Sequence, residues 1–244
     1  SSSYAGRVIG ANEGVGLVLK SDHKFYANYR GRSTNQAGSM LAKGKSALGK
    51  HFFWLGLPTE VNPGSGTTIN NTSINKVLSI MATEDNTVIT LSGYESGSQF
   101  IRDTSVYTSD SSHTITLNKG ESYIYVVPVD TTVRQRYGFL GSEINSSKNI
   151  VVTIAQLMQQ GVEAGNRDIS FDQIIPVNQL GSLFVAMQGN GSNANEKVII
   201  VATEDDTQIN VNGTIVNLPV NGNSASNTTN TLNKGDYAII TPDE

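Results

Sequence analysis

The chain has 244 residues, with 17 Lys and Arg against 21 Asp and Glu, a net charge of −4 and a pI near 5.4. That balance offers no positive field for nucleic acid or an anionic membrane, and no run approaches the roughly 18 apolar residues of a membrane helix. There is no cysteine, which excludes disulfides, thiolate catalysis and Cys-ligated metals.

Only 16% of residues are charged; 26 Ser, 22 Thr, 24 Asn and 24 Gly fill the gap. This make-up fits an exported protein better than a cytosolic enzyme. In chain order, Leu17–Leu19 is a first short apolar run. Residues 36–48 are the best helical stretch, interrupted by Gly38 and Gly44. Strand-like runs follow at Phe52–Leu55, Val77–Met81, Thr87–Leu91, Ser122–Val127, Ile150–Ile154, Leu183–Met187, Val198–Val201, Gln208–Val211 and Tyr237–Ile240. Their β-branched and aromatic residues fit a pleated, half-buried surface, and turn residues separate them, so the chain reads as all-β.

Internal repetition is the most specific signal. Ala82-Thr83-Glu84-Asp85-Asn86-Thr87 returns as Ala202-Thr203-Glu204-Asp205-Asp206-Thr207. Thr116-Leu117-Asn118-Lys119-Gly120 returns as Thr231-Leu232-Asn233-Lys234-Gly235, the first followed by Glu121-Ser122-Tyr123 and the second by Asp236-Tyr237. Leu48-Gly49 with Phe52 matches Leu180-Gly181 with Phe184, and Lys20–Arg30 weakly matches Ser147–Gln156. Four blocks recurring in one order indicate duplication. The expected organisation is an N-terminal segment (1–19), a first β unit (20–130), a connection (131–146) and a second unit (147–244) that is shorter at its C-terminal end. The chain is expected to be a fragment of a longer repetitive protein.

Both repeated blocks read as turns. Asp and Asn tolerate turn dihedrals and bond their own backbone, and Gly supplies φ > 0. Between them lie polar spacers, Gly93–His113 and Asn212–Asn230, which read as exposed loops able to vary in specificity.

Glu84, Asp85, Glu204, Asp205 and Asp206 supply the oxygen ligands Ca²⁺ wants, although the spacing is not that of an EF-hand; the competing reading is a solvent-exposed hairpin turn. Tyr26, Tyr29, Arg30 and Arg32 form one basic-aromatic cluster, and Arg134, Arg136 and Tyr137 form another. Such residues suit protein interfaces and sugar stacking, or else charge a strand edge against aberrant pairing. The three His lack metal spacing, and no phosphate loop or nucleophile elbow is present. No catalytic residue is assigned.

The order of these blocks resembles the domain family named for the N-terminal region of the IgG Fc-binding protein, from about Lys20 to Pro242. The resemblance implies a secreted or surface adhesion domain, not an enzyme, and carries over no catalytic residues. Similar domains occur in large type IX-secreted, gliding-associated surface proteins of Bacteroidetes-type bacteria, and the Cys-free composition points to a bacterial cell surface.

The expected architecture is two tandem β-rich units, sandwich-like, with a propeller-like arrangement as alternative. The core is expected from Leu17, Phe52, Trp54, Leu78, Ile80, Ile89, Leu117, Tyr123, Tyr125, Val152, Ile154, Phe184, Ile200, Ile209, Leu232 and Ile239. The expected function is a non-enzymatic adhesin module that binds a glycan, a glycoprotein or a surface through its loops, beside other domains of a parent chain. The alternatives are a structural spacer or assembly module, and a carbohydrate-binding module of a polysaccharide-active enzyme. No cofactor other than Ca²⁺ is implied.

Overall fold

A computed structural model describes residues 10–13, 17–32, 37–56, 75–102, 105–108, 111–128, 138–160, 167–189, 196–221 and 228–240. Strands run in the order β1 (Gly10–Glu13), β2 (Asn28–Arg32), β3 (Ala37–Leu41), β4 (Gly49–Phe53), β5 (Asn75–Ala82), β6 (Thr87–Ser92), β7 (Gln99–Arg102), β8 (Ser105–Thr108) and β9 (Ser112–Leu117). They continue as β10 (Glu121–Pro128), β11 (Glu143–Gln160), β12 (Arg167–Ile174), β13 (Val198–Val201), β14 (Asn210–Val211), β15 (Thr214–Ile215), β16 (Leu218–Pro219), β17 (Thr228–Thr229) and β18 (Tyr237–Ile240). The fold is all-β and sandwich-like, and the only helices among the described residues are two short 3-10 turns, Gly44–Ala47 and Val177–Gln179. No helix among the described residues is long and apolar enough to cross a membrane.

Ten strands form one sheet curled into a half-barrel, with the path β8-β7-β10-β5-β11-β6-β9, β1 on β10, and β4 and β12 on β11. Period-2 patterning sets its inner face. In β6, Thr87, Ile89 and Leu91 are buried while the residues between them face out. The 18-residue β11 holds the half-barrel together. Its first part pairs with β6 and β4, and after a register shift between Asn145 and Ile150 it pairs with β5 and β12. Ile144, Ile150 and Val152 of β11 are fully buried among Phe52, Leu78, Ile80, Tyr125 and Phe139. Fully burying one such side chain is worth roughly 1.5–3 kcal/mol, so β11 is a principal source of this core.

A second, smaller core contains Ala202, Leu218, Val220, Leu232, Ala238 and Ile240 under the antiparallel pair β13 and β18. The duplication is exact in register. Ile80 faces Tyr123 and Leu78 faces Tyr125; 120 residues later on one strand and 115 on the other, Ile200 faces Ala238 and Val198 faces Ile240. The environment differs. Leu78 and Ile80 are fully buried because β11 covers the second edge of β5, whereas Val198 and Ile200 are only partly buried because β13 pairs with β18 alone among the described residues.

Three core expectations fail, one of them Ile239, which lies on the face of β18 opposite the buried Ala238 and Ile240. Phe184 is 73% exposed, although its repeat counterpart Phe52 is fully buried, and Leu17 is 80% exposed. The expected strand Leu183–Met187 has no strand pairing, whereas the matching β4 pairs with β11. The stretch 36–48 is not an α-helix. β3 occupies its first half, and Gly38 lets β3 lie against β12, since a Cβ there would meet the Phe171 ring at 2.6 Å. The spacers are not simple loops either. The first carries the β7–β8 hairpin with buried Tyr94, Ser98 and Phe100, and the second buries Leu218 and Val220.

Candidate functional site

The repeated turns are built identically in both units. Asn86 and Asp206 take positive φ (53° and 56°), as do Gly120 and Gly235 (86° and 85°). The Thr87 and Thr207 hydroxyls donate to the carbonyls of Glu84 and Glu204 at 2.7 and 2.8 Å. The backbone N–H groups of Lys119 and Lys234 donate to the carboxylates of Asp85 and Asp205, both at 3.0 Å. Gly120 and Gly235 donate to the carbonyls of Ala82 and Ala202, both at 2.9 Å. Asp85 and Asp205 therefore staple one turn to the next. Glu84, Glu204 and Asp206 are exposed at the hairpin tips, and among the described residues no group of three His, Asp or Glu is placed to hold a metal.

The first basic-aromatic cluster spans β2 and the residues just before it. Tyr26 is 92% exposed, Tyr29 meets Phe171 edge-on at 5.5 Å between ring centres, and Arg30 donates to Asn28 at 3.0 Å. Arg32 is exposed at the end of β2. Arg134, Arg136 and Tyr137 lie outside the described residues.

The described concave surface with convergent polar groups lies between the two cores. It is a cleft of about 570 Å³ with an apolar floor of Phe53, Leu140 and Tyr237, and its polar groups are Glu95, Glu143, Asn221, Lys234 and Asp236. That volume is within the usual range for small-ligand pockets. Two glycines set how closely the cores approach. Gly141 (φ +76°) and Gly235 (φ +85°) meet backbone to backbone, and a Cβ on Gly141 would overlap the Gly235 carbonyl, 2.9 Å from its carbon. Lys234, projecting from the repeated turn of the second unit, ion-pairs with Glu143 of β11 at 2.7 Å and lies over the Phe53 ring at 5.9 Å. His51 Nε2 is also 2.7 Å from Glu143, without hydrogen-bond alignment. Burial pushes the Glu143 carboxyl up, but hydrogen bonds from Lys234 and Asn145 and the charges of Lys234 and His51 outweigh it and hold the group below its ordinary value.

Sequence reasoning misses this cleft as a site, because its members come from β4, β11, both spacers and the second turn block. No spacing in the sequence ties Glu95, the third residue of the first spacer, to Asn221, the tenth of the second. Asn221 is held in place, donating to Asp236 at 2.8 Å and accepting from the Tyr237 N–H at 3.1 Å.

No curated protein and no solved structure matches the chain. A family model described as IgGFc binding protein matches residues 37–244, well over half of the chain. This chain thus belongs to the IgGFc-binding family, whose domains are of a binding type, typically extracellular, and not of a known enzyme family.

Proposed function

We propose that the protein is an adhesin module of a bacterial cell surface that binds a neutral or amino-substituted glycan, free or on a glycoprotein, in the cleft between its two cores. The observation that carries this reading is the composition of the cleft. Glu95, Glu143 and Asp236 accept hydrogen bonds, Lys234 donates, the Asn221 side chain is held at the rim, and Phe53, Leu140 and Tyr237 give an apolar floor. A polyhydroxyl ligand needs this mixture of acceptors, donors and C–H-compatible surface. Three carboxylates against one ammonium disfavour sialylated or sulfated ligands. The Cys-free, Asn- and Thr-rich sequence supports the bacterial assignment, and type IX export with a gliding-associated parent chain belongs to the same proposal.

The test is a glycan and mucin array probed with the folded protein and with Glu95→Ala and Lys234→Ala. Binding to neutral or amino sugars that both variants lose supports the reading. Silence of the folded protein, or binding that neither variant weakens, refutes it. A second reading, an assembly module, is favoured by a separate observation: among the described residues, 11 of the 15 large exposed apolar side chains lie in two segments, 17–29 and 180–187.

A further inference from the structure

The two exposed apolar segments are halves of one strand-insertion site. The chain shows the filled form of that site around β11. There Ile144 faces Phe52 of β4 and Leu91 of β6, while Ile150, Val152 and Ile154 face Ala82, Ile80 and Leu78 of β5. By the repeat register, the second unit presents Phe184 for Phe52, Val211 for Leu91, and Ala202, Ile200 and Val198 for Ala82, Ile80 and Leu78. Among the described residues it has no strand between them.

The counterpart of β11 elsewhere in the chain can be fixed from pairing. β3 leads into the 3-10 turn Gly44–Ala47 as β12 leads into Val177–Gln179, so Met40 corresponds to Asp172. Tyr29 faces Met40, and Ile154 faces Asp172. Tyr29 is therefore the counterpart of Ile154, and the same register makes Leu19, Phe25 and Ala27 the counterparts of Ile144, Ile150 and Val152. All four core-facing positions are apolar, and the three large ones are exposed: Leu19 by 55%, Phe25 by 52% and Tyr29 by 62%. His23 falls on Lys148, whose ammonium reaches the Asp85 carbonyl at 2.6 Å. Among the described residues β2 pairs only with β3, on one of its two edges.

We infer that residues 17–32 of one copy insert as a strand beside β13 of a second copy, reproducing the place of β11 and linking molecules head to tail. Charge favours the match. Residues 17–32 carry Lys20, Lys24, Arg30 and Arg32 against Asp22, a net +3. Residues 196–240 carry five carboxylates against two lysines, a net −3. Main-chain pairing supplies affinity and the alternate side chains supply register, as in other strand additions. The donor and acceptor surfaces are different, so the contact is heterologous and open-ended. It uses neither the cleft nor its ligand.

The test is sedimentation of the 244-residue chain over a concentration series at low and high salt, with Phe25→Glu as donor variant and Phe184→Lys as slot variant. Both changes are at exposed positions. The expected result is mass that grows with concentration and shrinks with salt, and monomers for either variant alone. An equimolar mixture of the two gives a dimer that grows no further, because one intact donor meets one intact slot. A wild-type chain that stays monomeric overturns the inference, as do variants that assemble like wild type or a mixture that stays monomeric. A synthetic peptide of residues 17–32 should block assembly. If a peptide of residues 143–160 binds and this one does not, the slot takes a strand other than the one inferred.

Discussion

The approach of Gly141 to Gly235 fixes the cleft, and alanine at each glycine measures it. Gly120 is the internal control. It is the repeat counterpart of Gly235, has φ +86°, and a Cβ there meets nothing within 4 Å. Gly120→Ala should therefore cost only the left-handed dihedral, about 1–2 kcal/mol. Gly141→Ala adds an overlap with a backbone carbonyl that has no flexible end to move away, and overpacking of that kind costs about 1–3 kcal/mol more. The expected total is roughly 2–5 kcal/mol. Gly235→Ala should fall between the two, because its Cβ would meet the Gly141 oxygen at 3.3 Å. Urea unfolding followed by Trp54 fluorescence is the assay. Trp54 is the sole tryptophan, is 2% exposed, and its carbonyl accepts the Gly141 N–H at 3.0 Å. The second readout is the Glu143 titration by NMR, which should return toward the ordinary carboxylate value in Gly141→Ala as Lys234 is displaced. A loss no larger than that of Gly120→Ala, with Glu143 unmoved, would show that the cores do not meet at these glycines.

Glu143 also predicts a pH dependence. Its folded value lies below the ordinary one near 4.5, so it stabilises the fold fully above that pH, and the contribution is lost as pH falls through the lower folded value. Glu143→Gln should flatten stability between those two values, as measured by urea midpoints from pH 3 to 7, while costing roughly 1 kcal/mol or less at neutral pH. Asp85→Ala and Asp205→Ala should each cost about 0.5–1.5 kcal/mol, since each removes the acceptor of one backbone N–H; thermal melts that leave one of the pair unaffected would break the equivalence of the two turns. Addition of Ca²⁺ or EDTA should leave the melting temperature unchanged, because the Asp85 and Asp205 carboxylates already serve those N–H groups. A rise of several degrees with Ca²⁺ would instead make the hairpin tips ion sites.

The all-β class and the duplication were legible in the sequence because the repeated blocks are turns. At Asn86, Asp206, Gly120 and Gly235 the backbone needs positive φ, and Thr87, Thr207, Asp85 and Asp205 each make a bond that no apolar residue replaces. Such positions tolerate few residue types, so they keep their identity through duplication. Strand positions ask only for an apolar side chain. Phe52 and Phe184 are the same residue at the same repeat position, yet one is fully buried and the other 73% exposed. What separates them is the presence of β11 beside one and not the other, which is a non-local fact. Leu17 fails as a core residue for the same kind of reason. The spacers misled through composition. Ser, Asn and Gly dominate them, but single residues such as Phe100 and Leu218 anchor them to the cores.

The cleft was illegible for a further reason, and that reason bears on how it works. Besides the residues from β4, β11 and the connection before it, the cleft draws on two contrasting groups. Lys234, Gly235, Asp236 and Tyr237 belong to the repeated turn, where the strand register is preserved between units even though the offset falls from 120 to 115 residues across the spacer. Glu95 and Asn221 belong to the spacers, which absorb that five-residue difference. Lys234, Asp236 and the Tyr237 part of the floor are therefore tied to scaffold positions that cannot change without disturbing a turn, while Glu95 and Asn221 sit on segments whose length differs between the two units. A site so divided can alter what it recognises at the rim while the floor and the Gly141–Gly235 contact hold its depth constant. Substitutions at Glu95 should accordingly shift ligand preference with little effect on stability, whereas substitutions at Gly235 should lower both together.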